Sequence, residues 1–454
     1  MTTQFIAREM SARGYRVFEG PVLPVTGGAA DSRRVRPGDL FAAFPGESTD
    51  GNLYVAEALA NGAVAAICTR PPIPEIPGKT VVVAPGVTTA VGELAHAWRR
   101  ECGPRVVGIT GTVGKTTAKD LTAAALSKRF HTHRSEGNLN SREGLPLALM
   151  SLRRDHEVSV LEMGMDSPGE IAELCEIAEP EIGVVLNVGL THVSKLGSIE
   201  AIAAEKLSLV RSLPGSGTAV LNADDPRVAS AVEGLRARVI TFGASASAAL
   251  RRGEVEDLGL EGSVFTATFG SASARIRCRI PGVHIVPGAL ATLGVCLALG
   301  MTLGEAAGAI EEAETEGRIR IATSDTGAVI LDDRYNSSPD SLAGALRLLG
   351  RLDGRRIAFL GRMAELGDYE EEEHRRAGAI AAGNCDILIA VGEQCRVMVD
   401  EAVASGLTGA LWFEEKAAAA AALRAMLRPG DHVLVKASRS HAFETVLPLL
   451  EGRE

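Results

Sequence analysis

Short runs of apolar residues alternate along most of the chain with longer stretches in which apolar residues recur every three to four positions. The short runs predict buried strands and the periodic stretches predict amphipathic helices, an alternation typical of parallel α/β sheets. Between 243 and 280 the helical spacing gives way to short alternating segments, which favours a small antiparallel section. The predicted helices span 4–13, 54–61, 88–100, 118–126, 199–213, 282–299 and 340–349, and the predicted strands span 40–44, 158–162, 182–186, 219–221, 328–331, 356–360, 387–391, 410–413 and 433–435.

A glycine-rich segment, VVGITGTVGKTT over 106–117, lies between a predicted strand and a predicted helix. Its glycines allow backbone N–H groups to approach a phosphate closely, and the helix N-terminus adds partial positive charge. Lys115 is placed to reach the terminal phosphates of a nucleotide, and the Thr116 hydroxyl to ligate Mg²⁺. The loop is a variant, because Ile109 stands where the usual pattern has its first glycine. The predicted ATP-binding residues are Gly111, Thr112, Gly114, Lys115, Thr116 and Thr117.

Two further polar residues follow the ends of predicted strands. Glu162 ends the strand over 158–162, and His192 comes shortly after the strand over 182–186. Since parallel strands have their carboxyl ends at one edge of a sheet, we expect both side chains near Thr116, and Glu162 is a candidate Mg²⁺ ligand there. A solvent-facing glutamate and a structural histidine are the simpler alternatives. Lys206 lies on the predicted helix over 199–213, and for it an exposed surface lysine is the simpler alternative, which spacing alone does not reject.

Composition narrows the classes of protein. A chain of 454 residues predicts two to four domains. Seven cysteines without CxxC spacing suggest neither a metal cluster nor a disulfide framework, and no apolar run is long enough to cross a bilayer. The net charge of −10 disfavours nonspecific binding to nucleic acid or anionic lipid. We therefore expect a cytoplasmic protein with no nucleic-acid partner and no membrane insertion. No GxGxxG follows a strand, so a nicotinamide site is not expected.

The phosphate loop, read as GxTGTxGKTT, resembles the ATP loop of the Mur ligases, the enzymes that add amino acids to the peptide of the bacterial cell-wall precursor. Other segments resemble motifs of the same family in the same order, so the resemblance covers nearly the whole chain. These segments are DSRRVRPGDLFAA at 31–43, GNLNSREGLP at 137–146, LNADDP at 221–226, DDRYNSSPDS at 332–341, GRMAELG at 361–367 and KASR at 436–439.

This resemblance implies an α/β fold with the three-domain Mur ligase architecture. A UDP-precursor-binding N-terminal domain is expected over 1–103. A central ATP-binding domain with a P-loop ATPase-like parallel sheet is expected over 104–316. A C-terminal Rossmann-like ligase domain is expected over 317–454, and the protein is expected to act as a monomer.

The resemblance also implies roles for individual residues. It implies two Mg²⁺ sites formed by Thr116, Glu162, His192 and a carbamylated Lys206. It has Arg318 reach the terminal phosphate of ATP and Asp333 contact the ribose. The implied catalytic residues are thus Lys115, Glu162, His192, Lys206 and Arg318. The implied substrate-binding residues are Ser32, Arg33, Asp50 and Gly51 for the UDP group, together with Asn138, Asn140, Tyr335, Asn336 and Asp340. Asp340 is also expected to cap the helix over 340–349.

The function implied is ATP-dependent ligation of D-alanyl-D-alanine to a UDP-linked muramoyl tripeptide through an acyl-phosphate. Several positions depart from the family pattern: Ser141, Gly288, Ser338 and Arg362, with Gly288 replacing an asparagine used on adenine. Three alternatives therefore stay open. They are a P-loop kinase or ATPase, a weakly active paralogue that serves as a binding module, and an amide ligase with a different acceptor or amine.

Overall fold

The computed structural model describes residues 1–46, 49–71, 76–315 and 319–452. Three sheets follow one another along the chain, and each is built from one consecutive part of the sequence and covered by helices. Among the described residues, none of the helices combines the length and apolar character needed to cross a bilayer.

The first sheet has five strands in the order β1-β5-β4-β3-β2, of which only β1 is antiparallel to its neighbour. Strands β3 and β4 are buried along their whole length because the sheet is covered on both faces, as parallel sheets usually are. The elements of this part are α1 (Thr3–Ala12), β1 (Arg16–Phe18), β2 (Gly27–Ala29), β3 (Asp39–Ala42), α2 (Val55–Ala60), β4 (Ala65–Cys68), β5 (Thr80–Val83) and α3 (Val87–Cys102).

The second sheet has nine strands in the order β14-β13-β12-β11-β10-β9-β6-β8-β7. The seven neighbouring strands β7, β8, β6, β9, β10, β11 and β12 are parallel, and β12, β13 and β14 form the antiparallel section expected over 243–280. The elements of this part are β6 (Arg105–Thr110), α4 (Lys115–Leu126), β7 (Thr132–Arg134), α5 (Gly144–Leu149), β8 (Val158–Glu162), α6 (Glu170–Ala178), β9 (Ile182–Val185), α7 (Val193–Leu196), α8 (Ile199–Arg211), β10 (Thr218–Asn222), α9 (Pro226–Ala229), β11 (Arg238–Gly243), β12 (Leu250–Asp257), β13 (Ser263–Phe269), β14 (Ala272–Cys278), α10 (Val286–Ala298) and α11 (Leu303–Glu311).

Strand β6 lies between β8 and β9 in the middle of this sheet, and the register brings three strand ends together. Ile109 of β6 pairs with Glu162 of β8, and Thr110 pairs with Val185 of β9. The glycine-rich loop after β6 therefore lies at the same edge as Glu162 and the segment that follows β9. This edge is where α/β folds place their ligands.

The third sheet has six strands in the order β15-β16-β20-β17-β18-β19, and only the edge strand β15 is antiparallel to its neighbour. The strands predicted over 356–360, 387–391 and 410–413 have the predicted bounds. The elements of this part are β15 (Arg320–Thr323), β16 (Val329–Asp332), α12 (Pro339–Leu349), β17 (Arg356–Leu360), α13 (Glu370–Ala382), β18 (Ile387–Val391), α14 (Arg396–Ala404), β19 (Ala410–Phe413), α15 (Lys416–Met426), β20 (His432–Lys436) and α16 (Leu447–Glu451).

The start of α12 corrects one prediction. The helix begins at Pro339, and its N-cap is Ser338 rather than Asp340. Ser338 has extended backbone angles and forms a capping box with Ser341, whereas proline is well suited to the first helical position. Asp340 thus lies inside the first turn, where its negative charge favours the helix dipole.

Candidate active site

The glycine-rich loop connects β6 to α4 through two residues with positive φ. Gly111 has φ 156° and Gly114 has φ 86°, and α4 begins directly after Gly114 at Lys115. A Cβ on Gly111 would lie 2.9 Å from Cβ of Leu186 on the neighbouring segment, so no larger residue fits there without a shift. The loop is therefore held tightly against the end of β9.

Asn187 fixes the shape of this loop. Its Oδ1 accepts hydrogen bonds from the backbone N–H groups of Thr112 and Val113 at 2.9 and 2.8 Å, and its Nδ2 donates to the Val113 carbonyl at 3.0 Å. No role for Asn187 is predicted from the sequence. Its position two residues after the end of β9 could have indicated a role at the site, because side chains at the carboxyl ends of parallel strands face the ligand edge.

Thr116 and Glu162 form the centre of the predicted metal site. The Thr116 hydroxyl donates to Glu162 Oε2 at 2.6 Å, and Asn140 Nδ2 donates to Glu162 Oε1 at 2.7 Å. Glu162 is 1% exposed, so its carboxylate faces only protein and the cleft. The structure thus brings Asn140, Thr116 and Glu162 together, and their oxygen atoms are the hard ligands that Mg²⁺ prefers.

Lys115 and Lys206 meet at one backbone carbonyl. Lys115 Nζ donates to Gly111 O at 2.9 Å and Lys206 Nζ donates to the same oxygen at 3.1 Å. Lys206 is 2% exposed, and burial, followed by the positive charge of Lys115, places the pKa of its amine well below the usual value. The simpler alternative, an exposed surface lysine, does not hold, because α8 turns this residue toward the phosphate loop. Burial favours the neutral form of an amine, which is the form that reacts as a nucleophile.

His192 lies in a separate charged cluster on the same cleft. Its Nδ1 is 2.6 Å from Glu365 Oε2 and 3.3 Å from Asp166 Oδ1. Lys195 Nζ is 3.3 Å from Asp166 and 3.4 Å from Glu365. The contact with the imidazole is the largest cause that lowers the pKa of the Glu365 carboxyl to about 2. Ligand atoms of Asp166, His192 and Glu365 lie within 4.8 Å of one another, close enough to share a metal ion.

The third sheet supplies the opposite wall. Asp333 accepts a bond from the buried Lys436 Nζ at 2.6 Å, and the same amine donates to the Asn336 carbonyl at 2.9 Å. Asp333 is itself 7% exposed, so its carboxylate is largely committed to Lys436. Beside them, the Arg439 guanidinium lies 5.6 Å from the centre of the Tyr335 ring.

These groups line a cleft of about 430 Å³ between the second and third sheets. Gly111 lies at its edge through the carbonyl shared by the two lysines. Asp340 lies outside the lining, with its carboxylate beside Gly189. Arg318 falls outside the described residues. The predicted residues that line the cleft are Thr112, Gly114, Lys115, Thr116, Thr117, Asn138, Asn140, Glu162, His192, Lys206, Asp333, Tyr335 and Asn336.

The predicted UDP-binding residues lie in two short 3₁₀ helices beside the first sheet, Ser32–Arg34 and Gly51–Tyr54 with its N-cap Asp50, outside the lining of this cleft. Ser32 is 5% exposed and its carbonyl accepts from Asn61 Nδ2 at 3.0 Å. Arg33 is paired with Asp31 at 2.8 Å, and Asp50 is paired with Arg70 at 2.9 Å. Next to Asp50, Gly51 packs so closely on Phe44 that a Cβ would lie 2.5 Å from its carbonyl oxygen.

A second cavity, about 640 Å³, lies between α10 and α12. It shares His284 with the cleft and contains none of the predicted site residues. The cleft between the second and third sheets, which has the phosphate loop on one wall and the Asp333–Lys436 pair on the other, is therefore the candidate active site. A phosphate loop that faces a second α/β unit in this way defines a nucleotide-dependent enzyme of the P-loop type.

Comparison with known proteins shows to which family of nucleotide-dependent enzymes the chain belongs. Family models match three consecutive parts of the chain: Mur ligase family, catalytic domain, over 24–99; Mur ligase middle domain over 109–296; and Mur ligase, glutamate ligase domain, over 317–439. A Synechocystis protein named UDP-N-acetylmuramoyl-tripeptide–D-alanyl-D-alanine ligase is 34% identical over 427 residues, covering 92% of this chain and 90% of the relative. The Escherichia coli protein of that name is 32% identical over 440 residues, covering 96% and 95%. The chain belongs to the Mur ligase family.

Solved structures agree with this assignment. MurF from Acinetobacter baumannii matches with a TM-score of 0.86 and 28% identity, covering 99% of this chain and 98% of that one. MurF ligase from Thermotoga maritima, solved in complex with ADP, matches with a TM-score of 0.80 and 27% identity, covering 94% and 98%. The three-part α/β architecture expected from the sequence is thereby confirmed.

Proposed function

We propose that this protein joins D-alanyl-D-alanine to UDP-N-acetylmuramoyl-tripeptide in an ATP-dependent ligation, a step in the synthesis of the peptidoglycan precursor. The observation that carries the proposal is the convergence of Lys115, Lys206 and the Thr116–Glu162 pair at one edge of the second sheet. Relatives that carry the name of this ligase, at 32–34% identity over more than nine-tenths of the chain, support it.

Each of the three sheets belongs to a part of the chain that we assign to one substrate. We assign the UDP-linked acceptor to a domain over 1–103, ATP to a domain over 104–316, and the incoming dipeptide to a domain over 317–454. Ser32, Arg33, Asp50 and Gly51 are the candidate UDP contacts. Asn138, Asn140, Tyr335, Asn336 and Asp340 are the candidate contacts to the reacting end of the acceptor and to the dipeptide.

The donor set fits a magnesium nucleotide. Thr116 and Glu162 present oxygen atoms 2.6 Å apart in a buried corner beside the phosphate loop, and they would hold one Mg²⁺. His192, together with a carbamate on Lys206, would hold the second. Such ions would neutralise charge on the phosphates during transfer. The amine of Lys206 suits carbamate formation because its pKa is lowered by burial.

The reaction then proceeds in two steps. A carboxylate oxygen of the acceptor attacks the γ-phosphorus of ATP, ADP leaves, and an acyl-phosphate forms. The neutral amine of the dipeptide next attacks the acyl carbon, inorganic phosphate leaves, and the nitrogen loses a proton to form the amide. Lys115 stabilises negative charge at the transferred phosphoryl group, and Arg318 is the candidate for a second contact there. Closure of the cleft excludes water, which would otherwise hydrolyse the acyl-phosphate.

A screen of phosphate release tests the proposal. The purified protein is incubated with Mg²⁺-ATP and with combinations of UDP-linked muramoyl peptides and amines, the amines being single amino acids and D-alanyl-D-alanine. We expect fast release only with the tripeptide acceptor and the dipeptide, and a product whose mass is that of the pentapeptide. Release that needs no amine would identify an ATPase instead, and release with a different pair only would identify a ligase of other specificity.

A further inference from the structure

The active-site cleft contains four lysine and arginine side chains among the residues that the structure describes: Lys115, Lys206, Lys436 and Arg439. The first two lie at the phosphate loop, where both contact the Gly111 carbonyl. Lys436 is neutralised by Asp333 at 2.6 Å. Arg439 forms no ion pair with any described carboxylate, and its guanidinium rests against the Tyr335 ring with 5.6 Å from Cζ to the ring centre. Away from the phosphate loop, Lys436 is thus paired with a carboxylate, whereas Arg439 presents its positive charge to the cleft.

The segment before Arg439 is held from three directions. Lys436 Nζ donates to the Asn336 carbonyl at 2.9 Å. Ser438 Oγ donates to the Ser337 carbonyl at 3.2 Å and accepts from the Ala364 N–H at 2.8 Å. Both Lys436 and Ser438 are buried. The backbone that carries Arg439 is therefore fixed relative to the dipeptide-facing segment around Asn336, while the exposed guanidinium faces the cleft. A binding side chain needs a backbone that is held in place in this way.

We propose that Arg439 binds the C-terminal carboxylate of the incoming amine donor. This inference rests on the proposed ligase function. The donor has an amine at one end, which must reach the acyl-phosphate near Lys115, and a carboxylate at the other. Arg439 is on the opposite wall, beside Tyr335 and Asn336, where the far end of a dipeptide would lie. A guanidinium is suited to a carboxylate because it can donate two parallel hydrogen bonds to the two oxygens.

The test compares two donors that differ only in this carboxylate, D-alanyl-D-alanine and D-alanyl-D-alaninamide. For the wild-type protein we expect kcat/KM to be about 10- to 100-fold higher with the acid, the range expected for a hydrogen bond to a charged group. Arg439→Gln should lower kcat/KM for the acid by about the same factor and change the amide little. The ratio between the donors should therefore fall toward one, with KM for ATP unchanged. Arg439→Lys should retain part of the preference.

Arg396→Gln provides the matched control. The Arg396 guanidinium also lies 5.6 Å from an aromatic ring centre, that of Trp412, but outside the cleft. This control should preserve the preference for the acid. Equal rates with the two donors in the wild-type protein would overturn the inference without any variant, as would an equal loss on both donors or a rise in KM for ATP in Arg439→Gln. Absence of turnover with D-alanyl-D-alanine in the wild-type protein would instead refute the proposed function and, with it, this inference.

Discussion

Nδ1 of His192, next to the second sheet, lies 2.6 Å from Oε2 of Glu365, next to the third sheet. Both residues have left-handed backbone conformations, with φ of 57° and 65°. Such conformations cost residues other than glycine on the order of 1–3 kcal/mol each and tend to occur at functional sites. The contact crosses the cleft, so it links the approach of the two walls to the orientation of the imidazole. The Glu365 carboxylate lies on the Nδ1 side of the ring, which leaves Nε2 as the nitrogen that would bind a metal ion.

Glu365→Gln should therefore weaken the binding of Mg²⁺ at His192 without affecting folding. The amide keeps the size of the side chain but loses the charge that orients the His192 ring. We expect the Mg²⁺ concentration for half-maximal activity to rise by about tenfold or more, as is usual when a residue that orients a metal ligand is changed. Glu371→Gln, an exposed residue paired with Arg375, is the control and should leave the Mg²⁺ dependence unchanged. An unaltered Mg²⁺ requirement in Glu365→Gln would show that the contact does not position the histidine.

Lys206→Ala tests the carbamate. The side chain is buried beside Lys115, so an unmodified ammonium there would repel both that lysine and a bound Mg²⁺. We expect activity to fall by orders of magnitude and to recover partly in high concentrations of a short carboxylic acid, which supplies the missing oxygens. Lys128→Ala, at an exposed position just beyond α4, should not respond to the acid. Retained activity in Lys206→Ala, or a loss that no carboxylic acid relieves, would contradict the proposed carbamate.

Buried His133 makes the stability of the fold depend on pH. It is buried between two hydroxyls, with Nδ1 2.8 Å from Ser159 Oγ and Nε2 3.0 Å from Ser151 Oγ, and burial lowers its pKa to about 4. An unfolded histidine has a pKa of about 6.5, so the folded state binds fewer protons. The stability is therefore present above pH 6.5 and is lost as the pH falls toward 4, by about 2 kcal/mol between pH 7 and 5. Thermal unfolding at both pH values measures this.

His133→Gln should show a smaller loss of stability between pH 7 and pH 5 than the wild-type protein. The comparison is between two pH values within each protein, so a uniform destabilisation by the substitution does not affect it. An equal loss in both proteins would mean that His133 is charged in the folded state or contributes nothing to the pH dependence.

The parts of the site that lie on regular elements could be predicted from the sequence. Glu162 was predicted near Thr116 because both belong to strand–loop–helix units whose ends share one edge of a parallel sheet, and their 2.6 Å contact confirms it. The burial of Lys206 could not be predicted, since helical spacing alone does not say which face a neighbouring loop covers. The contacts of Glu365 and Arg439 could not be predicted either, because they depend on how the third sheet is placed against the second.

The N-cap of α12 shows the same limit on a local scale. Asp340 and Ser338 are both good capping residues, and Ser338 is the N-cap because Pro339 occupies the first helical position.

The burial of Lys119 is a further feature that could not be predicted from the sequence. It lies one turn after Lys115 and donates to the Ser135 carbonyl at 2.7 Å, so it supports the segment that carries Asn138 and Asn140. Its position on α4 predicts only a helical residue, not the loop that covers it.

The most direct test of the proposed reaction follows an oxygen atom. UDP-N-acetylmuramoyl-tripeptide is prepared with ¹⁸O in the carboxylate that is to form the amide, and it is converted with ATP and D-alanyl-D-alanine. If that carboxylate attacks the γ-phosphate, one labelled oxygen remains with the phosphate after the amine displaces it. We therefore expect mass spectrometry to find inorganic phosphate that carries one ¹⁸O, in step with the pentapeptide product. Unlabelled phosphate, or phosphate formed without the product, would contradict the account.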